Sequence, residues 1–314
     1  MAFGHGKVIL FGEHAVVFGH PAVAVAIENA AEVSWERATG PITRLTIQPG
    51  DTRVDTGSEP NAGRELLQRA LKVARALYAD DLELELRAHM TIPTGAGLGS
   101  SAALGVAVLR AMDEARGLSR DDAEIFERSF EWERVFHGTP GGIDNAMATY
   151  GGLQLFKRAF PLKEGVPIYQ QISLTRIVPR DPFCLVVANS GNRPPAIQMI
   201  TGVRELRERN RTLVDTTFDG IAALVPNGKL AIEQGELKSL GQLMDMNHMS
   251  LAGLMLVSSQ VQDMVGAARQ AGALGAKMTG AGGGGCMIAL VNERERADVL
   301  AALAAYQPFE AWVR

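Results

Sequence analysis

The sequence predicts a two-domain protein that mixes α and β structure. A chain of 314 residues is long enough to bury two hydrophobic cores. A glycine-rich loop at residues 93–103 joins a strand pattern to a helix pattern, and the second half arranges strands and helices around a glycine-dense hairpin at 275–291. We expect the first domain to cover residues 1–155 and the second to cover 156–314.

Composition and charge exclude several classes of protein. Hydrophobic residues make up 46% of the chain and charged residues 21%, which is typical of globular domains, and the net charge of −4 argues against a nucleic-acid surface. An early first strand leaves no room for a signal peptide, and no apolar run is long enough to span a membrane. Cys184 and Cys286 lie in apolar strand patterns, which favours buried thiols. We therefore expect a cytoplasmic protein that binds neither nucleic acids nor membranes.

The first half of the chain reads as strands followed by helices. Strand patterns cover residues 7–12, 22–27, 31–35 and 42–47, with glycine and proline between them. Leucine and alanine at helical spacing predict a helix over 64–78, and alternating leucines predict a strand from Leu82. Ser119, with Asp122 three residues on, predicts the start of a further helix.

The second half predicts an α+β sandwich. Short strands are expected around residues 168–174 and 183–188. Helical patterns follow at residues 196–214, 235–255 and 260–271. Two apolar strands flank a turn made almost entirely of glycine within residues 275–291, which indicates a hairpin. A helix over 293–305 and a strand over 309–313 complete the pattern.

The loop Pro93-Thr-Gly-Ala-Gly-Leu-Gly-Ser-Ser-Ala-Ala103 is the strongest functional signal. Its three alternating glycines let the backbone turn sharply and approach a ligand, and its two serines open a helix. Backbone N–H groups beside a helix N-terminus attract anions, so phosphate is the expected ligand. The spacing matches neither a Walker A loop nor a dinucleotide fingerprint. A tight turn without a ligand is the alternative.

Two carboxylates lie near this loop in the predicted structure. Glu133 falls in the last turn of a helix, and Asp144 follows the reversal at residues 138–142, a geometry that can bring both to one cavity. Phosphoryl transfer needs a metal, a cation and a base. Ser101 and Glu133 are the candidate Mg²⁺ ligands, Asp144 is the candidate base, and Lys7 is the candidate cation. Alternatively, Glu133 is a solvated helix-end residue and Lys7 a surface charge.

Three segments together resemble the GHMP kinases. They are Gly6-Lys-Val-Ile-Leu-Phe-Gly-Glu-His-Ala-Val-Val-Phe-Gly19, the loop at residues 93–103, and Lys277-Met-Thr-Gly-Ala-Gly-Gly-Gly-Gly285. Their order and spacing cover nearly the whole chain. Within the family, the Glu-His-Ala-Val-Val run, residues 133–140 and 143–145, and Met244-Asp-Met-Asn247 resemble the mevalonate kinases.

The resemblance implies the two-domain α+β GHMP kinase fold. Its N-terminal α/β domain is like the second domain of ribosomal protein S5, and its C-terminal domain is a ferredoxin-like α/β sandwich. The implied substrates are ATP, with Mg²⁺, and mevalonate, in isoprenoid biosynthesis. A homodimer is a further possibility that the family suggests.

The resemblance also implies roles for individual residues. Asp144 would be the general base toward the C5 hydroxyl of mevalonate, and Lys7 would lie beside it and the transferred phosphate. Glu13 and His14 would face the acceptor. Ser101 and Glu133 would hold Mg²⁺. The residues expected to surround the ATP phosphates are Pro93, Gly95, Ala96, Gly97, Leu98, Gly99, Ser100 and Ser101.

The chain departs from the mevalonate kinase pattern at two places. Gly141 stands where a serine is usual, and the passage from Ser190 has Pro195, Ala196 and Ile197 where the family has a Ser-Thr pair followed by a cation. Arg193 is a candidate replacement for that cation. Because both departures affect the acceptor side, two alternatives stay open: a GHMP kinase for another small hydroxy compound, such as phosphomevalonate, and a nucleotide-binding protein without catalysis.

Overall fold

A computed structural model describes residues 1–59, 63–191 and 195–314. These residues form two compact units, the first made of residues 1–7 and 28–151 and the second of residues 8–27 and 152–314. The chain therefore changes unit within each of its first two long strands and again after Gly151. The predicted division into domains at 155/156 stays a prediction, to which the structure adds that residues 8–27 belong with the second unit.

The first unit contains a twisted sheet and four helices among its described residues. Its elements are β1 (Ala2–Phe11) and β2 (Ala22–Arg37), which both continue into the other unit, then β3 (Arg44–Gln48), β4 (Thr52–Asp55), α1 (Glu65–Ala76), β5 (Leu84–Met90), α2 (Ser100–Ala115), α3 (Asp122–His137) and α4 (Ile143–Tyr150). The strands lie in the order β4-β3-β5-β2, with β3 and β5 parallel and the other pairs antiparallel. Helix α2 is buried on nearly every side, against α3, α4 and β5.

The predicted strand, loop and helix around residue 93 are confirmed as structural elements. In β5 the side chains of Leu84, Leu86, Ala88 and Met90 are buried while their neighbours are partly or fully exposed, which is the period-two pattern that predicted the strand. Helix α2 begins at Ser100, as predicted. The loop is therefore held between two elements whose apolar sides lie in the core.

Two predictions are wrong in detail, namely the N-cap of helix α3 and the separation of two strands at 22–27 and 31–35. Helix α3 is capped by Asp121 rather than Ser119, because the Asp121 carboxylate accepts the Glu124 N–H at 2.9 Å and the Glu124 carboxylate accepts the Asp121 N–H at 3.2 Å. The turn after α3 leads directly into α4, so Asp144 lies in the first turn of a helix. Predicted strands at 22–27 and 31–35 form the single strand β2.

The second unit contains a four-stranded antiparallel sheet flanked by helices. Its elements are β6 (Leu153–Arg158), β7 (Ile172–Arg176), β8 (Phe183–Asn189), α5 (Ala196–Arg209), α6 (Arg211–Gln234), α7 (Leu237–Gly253), α8 (Ser259–Gln270), β9 (Gly275–Met278), β10 (Cys286–Val291), α9 (Arg296–Ala302) and β11 (Phe309–Val313). The sheet has the order β11-β8-β10-β9, while the first part of β2 pairs with β6 and β6 pairs with β7. The antiparallel β9–β10 pair confirms the predicted hairpin.

Helix α6 is absent from the sequence prediction. Pro226, Gly220 and Gly228 lie inside it, and both proline and glycine disfavour helix interiors. Tertiary packing overrides this preference, since a β-carbon at Gly228 would lie 2.3 Å from the Phe11 ring. The helix thus uses a glycine to let a large buried side chain approach its backbone.

The core of the second unit lies between its sheet and its helices. Phe218, Met264 and Met287 are fully buried there, and the thiols of Cys184 and Cys286 are buried as well. Over the described ranges, no helix combines the length and apolar character needed to cross a membrane.

Helix α7 and strand β9 pack backbone against backbone. An added β-carbon at Gly241 would lie 2.2 Å from the Leu274 carbonyl oxygen, and one at Gly275 would lie 2.1 Å from the Gly241 carbonyl oxygen. Asp245 fixes the same contact, since its carboxylate accepts the Ala276 N–H at 2.9 Å. This approach places β9, and the glycine-rich turn after it, at a fixed distance from α7.

We expect Gly241→Ala to lower the free energy of unfolding by about 1–3 kcal/mol, because the new methyl group meets backbone that cannot move aside cheaply. Gly266→Ala in α8 is the matched control, since nothing lies within 4 Å of its β-carbon position. The control should raise the free energy of unfolding by about 0.5–1 kcal/mol. Denaturant unfolding followed by circular dichroism measures both. Equal effects of the two variants would contradict the packing argument.

Candidate active site

The glycine loop of the first unit presents backbone outward and apolar side chains inward. Gly95 is exposed and Gly97 and Gly99 are half-buried, whereas the side chains of Ala96 and Leu98 are buried. All three glycines have positive φ, between 71° and 86°, which favours residues without a β-carbon. Two of the predicted phosphate-binding residues, Ala96 and Leu98, can therefore contribute only backbone groups to a ligand.

The loop ends at the N-terminus of the buried helix α2. Gly99 occupies the N-cap position, and the Gly95 N–H donates to the Ser100 hydroxyl at 3.3 Å. No side chain caps the first turn. The positive end of the helix dipole consequently faces the same place as the loop, an arrangement suited to anions.

Lys7 joins strand β1 to this loop and to Asp144. Its backbone N–H donates to the Leu98 carbonyl at 2.7 Å, and its ammonium group donates to the Gly97 carbonyl at 2.8 Å. The ammonium nitrogen lies 3.2 Å from Asp144 Oδ1. Since the Lys7 side chain is only 7% exposed, it is not a surface charge.

Gly99 makes this arrangement possible. A β-carbon there would lie 3.2 Å from Lys7 Cγ and 3.3 Å from Asp144 Oδ1. Any side chain would therefore push the cation and the carboxylate away from the loop. Asp144 is 34% exposed on its side chain, so a ligand can reach its carboxylate.

Glu133, in contrast to Asp144, is almost completely buried. Its side chain is 1% exposed, and within the described part of the chain its Oε1 has no hydrogen-bond partner. Burial raises the pKa of Glu133 to about 8, the Asp144 charge adds to this rise, and a hydrogen bond from the Ser101 side chain and the Lys7 charge oppose it. Oε2 lies 3.4 Å from His137 Nε2. Glu133 is therefore not a solvated helix-end residue.

The donor set of this cluster suits a hard cation. Ser101 offers a hydroxyl and Glu133 and Asp144 offer carboxylates, all of which are oxygen ligands, and Glu133 Oε1 is buried without a partner. Among the residues that the structure describes, no three His, Cys, Asp or Glu side chains come together as a metal cage. Mg²⁺ needs few protein ligands when phosphate and water supply the others, so the residues present fit it.

In the second unit, Glu13 belongs to a buried polar network. Its carboxylate pairs with the Lys277 ammonium through Oε1, and its Oε2 accepts from Asn247 Nδ2 at 3.0 Å. Lys277 also donates to the carbonyls of Met278 at 2.7 Å and Ile9 at 3.2 Å. Both side chains of the ion pair are fully buried. Within the second unit, the two oxygens of Glu13 are thus already engaged.

His14 holds the second glycine-rich turn. It adopts a left-handed backbone conformation with φ of 60°, and its Nε2 lies 2.8 Å from the Ala281 carbonyl oxygen. Burial lowers the pKa of His14, so the ring is neutral and Nε2 carries the proton that it donates. Thr279, just before this turn, is bound to strand β1, since its hydroxyl accepts the Ile9 N–H at 2.8 Å.

Gly141, Pro195 and Ala196, which depart from the family pattern, lie among the described residues. Arg193, the candidate replacement for the missing cation, lies outside them. Gly141 is exposed in the turn between α3 and α4, and Pro195 precedes the first residue of α5, Ala196.

Sequence reasoning did not identify the partners of Glu13. A lysine inside the apolar β9 pattern was the available signal, because a buried ammonium group requires a partner.

Comparison with known proteins agrees with the motifs. The profile described as "GHMP kinases N terminal domain" matches residues 65–152, and that of "GHMP kinases C terminal" matches residues 229–308. The chain is 32% identical to a mevalonate kinase of Pyrococcus horikoshii, over 94% of this chain and 90% of that one. It is 32% identical to a mevalonate kinase of Methanothermobacter thermautotrophicus, over 90% and 87% respectively.

The fold is also similar to that of solved structures. An L. major mevalonate kinase in complex with R-mevalonate superimposes with a TM-score of 0.84 and 28% identity, covering 99% of this chain and 95% of that one. The expected two-domain α+β fold is thereby confirmed.

The raised pKa of Glu133 predicts a pH-dependent stability. Between pH 4.5 and 8 the folded state keeps a proton that the unfolded state releases, so this residue makes the free energy of unfolding fall as pH rises. In protein freed of metal by a chelator, Glu133→Gln should abolish this contribution. The stability of the variant relative to the parent should therefore rise from pH 5 to pH 8 in denaturant titrations. A difference that stays constant over this range would contradict the assignment.

Proposed function

The chain belongs to the GHMP kinase family, and on this basis we propose that it is a mevalonate kinase, which phosphorylates the C5 hydroxyl of (R)-mevalonate with ATP. The substrate assignment comes from the relatives, which are mevalonate kinases and match this chain over almost its whole length. One geometric observation carries the chemistry. A buried lysine ammonium lies 3.2 Å from an accessible carboxylate beside an anion-binding loop.

In the proposed reaction Asp144 accepts the proton of the acceptor hydroxyl. Its carboxylate lies 3.2 Å from the Lys7 ammonium, and an ionised carboxylate is the form that a general base requires. Lys7 also offsets negative charge that develops on the transferred phosphoryl group. The backbone N–H groups of residues 95–101 and the N-terminus of α2 orient the ATP phosphates.

We assign Mg²⁺ to the ATP phosphates and to Ser101 and Glu133. Ser101 and Glu133 would hold Mg²⁺, which would supply positive charge to offset that of the ATP phosphates. The buried, unpartnered Oε1 of Glu133 supports this assignment. Ser101 and Glu133 would thus orient the nucleotide, while Asp144 stays available for the acceptor.

The roles of Glu13 and His14 toward the acceptor stay predictions from the family resemblance. The engagement of Glu13 by Lys277 and Asn247 favours an indirect role, in which Glu13 holds neighbouring backbone in place. His14 has one ring nitrogen hydrogen-bonded to the Ala281 carbonyl.

Cytoplasmic location is supported by two buried thiols, and a homodimer is supported by the family resemblance.

The acceptor itself is tested by ADP release from Mg-ATP with mevalonate, phosphomevalonate, homoserine and galactose in parallel. We expect saturable turnover with mevalonate and none with the other three. Gly141, which replaces a usual serine in the turn before Asp144, is the reason to include phosphomevalonate. Turnover with another acceptor alone would overturn the substrate assignment but not the kinase chemistry. ATP binding without any turnover would favour a non-catalytic protein.

Asp144→Asn should lower kcat by at least about 10³-fold, because an amide cannot accept the hydroxyl proton while its size is unchanged. Calorimetric titration with a non-hydrolysable ATP analogue should give a Kd within about threefold of the parent, since loop amides bind the phosphates. Asp122→Asn is the control, because it makes the same change at an exposed carboxylate in α3. Near-normal turnover of Asp144→Asn would disprove the role of Asp144 as base.

A further inference from the structure

One face of helix α3 contacts two separate parts of the proposed site, the start of helix α2 and the first turn of helix α4. Ser129, Trp132 and Glu133 have the spacing i, i+3 and i+4, which places them side by side, and each is only 1% exposed. Glu133 already has a proposed role toward Mg²⁺. The other two side chains have no assigned function.

Trp132 fixes the start of helix α2. Its indole N–H donates to the Ser101 carbonyl at 2.9 Å. Gly105, one helical turn after Ser101, provides the space for the ring, since a β-carbon there would lie 2.4 Å from Trp132 Cδ1. The next residue, Glu133, has a proposed role toward the same Mg²⁺ as Ser101. Trp132 therefore fixes the backbone of Ser101 to the helix that carries Glu133.

Ser129 fixes helix α4 in a similar way. Its hydroxyl accepts from Asn145 Nδ2 at 2.9 Å and donates to the Phe126 carbonyl at 2.7 Å. Asn145 is fully buried and follows Asp144 directly in the first turn of α4. The rotation of α4 about its axis, and with it the direction of the Asp144 carboxylate, therefore depends on this hydrogen bond.

We propose that Trp132 and Ser129 are positioning residues of the phosphoryl transfer. Trp132 sets the place of Ser101 and of the loop end, and Ser129 sets the place of Asp144, both relative to Glu133 on the same rigid helix. Neither side chain touches a reacting atom. The inference rests on the proposed function, because it assumes that Ser101 serves the nucleotide and Asp144 the acceptor.

The two residues should give different kinetic signatures. Trp132→Phe keeps an aromatic ring in the cavity but removes the N–H, so nucleotide binding should weaken about tenfold, which is the effect of about one buried hydrogen bond. Ser129→Ala leaves Asn145 Nδ2 without its partner near the base, so kcat should fall about tenfold while nucleotide affinity stays within twofold. A purely structural role would instead move both quantities alike in both variants.

The experiment compares the parent, Trp132→Phe, Ser129→Ala and Trp312→Phe. The last variant is the control, because Trp312 also donates its indole N–H in a hydrogen bond, here to the Glu310 carboxylate, but it lies in strand β11 of the second unit. For each protein we would measure the Kd of a Mg²⁺-bound, non-hydrolysable ATP analogue by calorimetry, kcat and KM with mevalonate, and Tm. All assays are run at least 15 °C below the lowest Tm, so that loss of folded protein cannot produce the result.

A weaker Kd confined to Trp132→Phe, together with a lower kcat at unchanged Kd in Ser129→Ala, is the expected result. Parental Kd in Trp132→Phe, or equal losses in both variants, would overturn the proposal. The calorimetric arm needs no acceptor. If the parent does not phosphorylate mevalonate, the proposed substrate fails, while the nucleotide affinities still decide the role of Trp132.

Discussion

The first unit depends on one close approach, in which the Lys7 ammonium lies between the glycine loop and Asp144. A buried lysine is costly unless acceptors surround it, and the Gly97 carbonyl and the Asp144 carboxylate meet this need. Gly99 is the condition for it, because a β-carbon there would press on the Lys7 side chain at Cγ and on the Asp144 carboxylate. The same cation consequently contacts both the loop and the carboxylate.

The two carboxylates of this unit differ because their surroundings differ. Asp144 is one third exposed and paired with a cation, whereas Glu133 is buried and has a raised pKa. The first environment leaves a carboxylate that an acceptor hydroxyl can reach, and the second favours a carboxylate that a bound cation completes. Helix α3 connects them, since it carries Glu133 and through Ser129 and Trp132 contacts both neighbouring helices.

The second unit also buries a lysine, Lys277, and pairs it with a carboxylate, Glu13. Glu13 and Lys277 are separated by most of the chain yet are fully buried together, and Asn247 and two carbonyls satisfy further hydrogen bonds. Removing one partner of such a pair leaves an uncompensated charge in the core, so the pair restricts this unit to one arrangement of β1, α7 and β9. His14 and Thr279 extend the same restraint to the glycine-rich turn.

Local sequence determined the features that depend on neighbouring residues: the strand, glycine loop and helix around residues 93–103, and the hairpin at 275–291. The motifs also identified the family. Tertiary structure alone decided helix α6, which persists despite Pro226 because its buried face packs into the core. It likewise decided the partners of Glu13 and the contact of Trp132 with Ser101, which is 31 residues away. Such contacts join residues distant in sequence, and no periodicity or spacing within a short window encodes them.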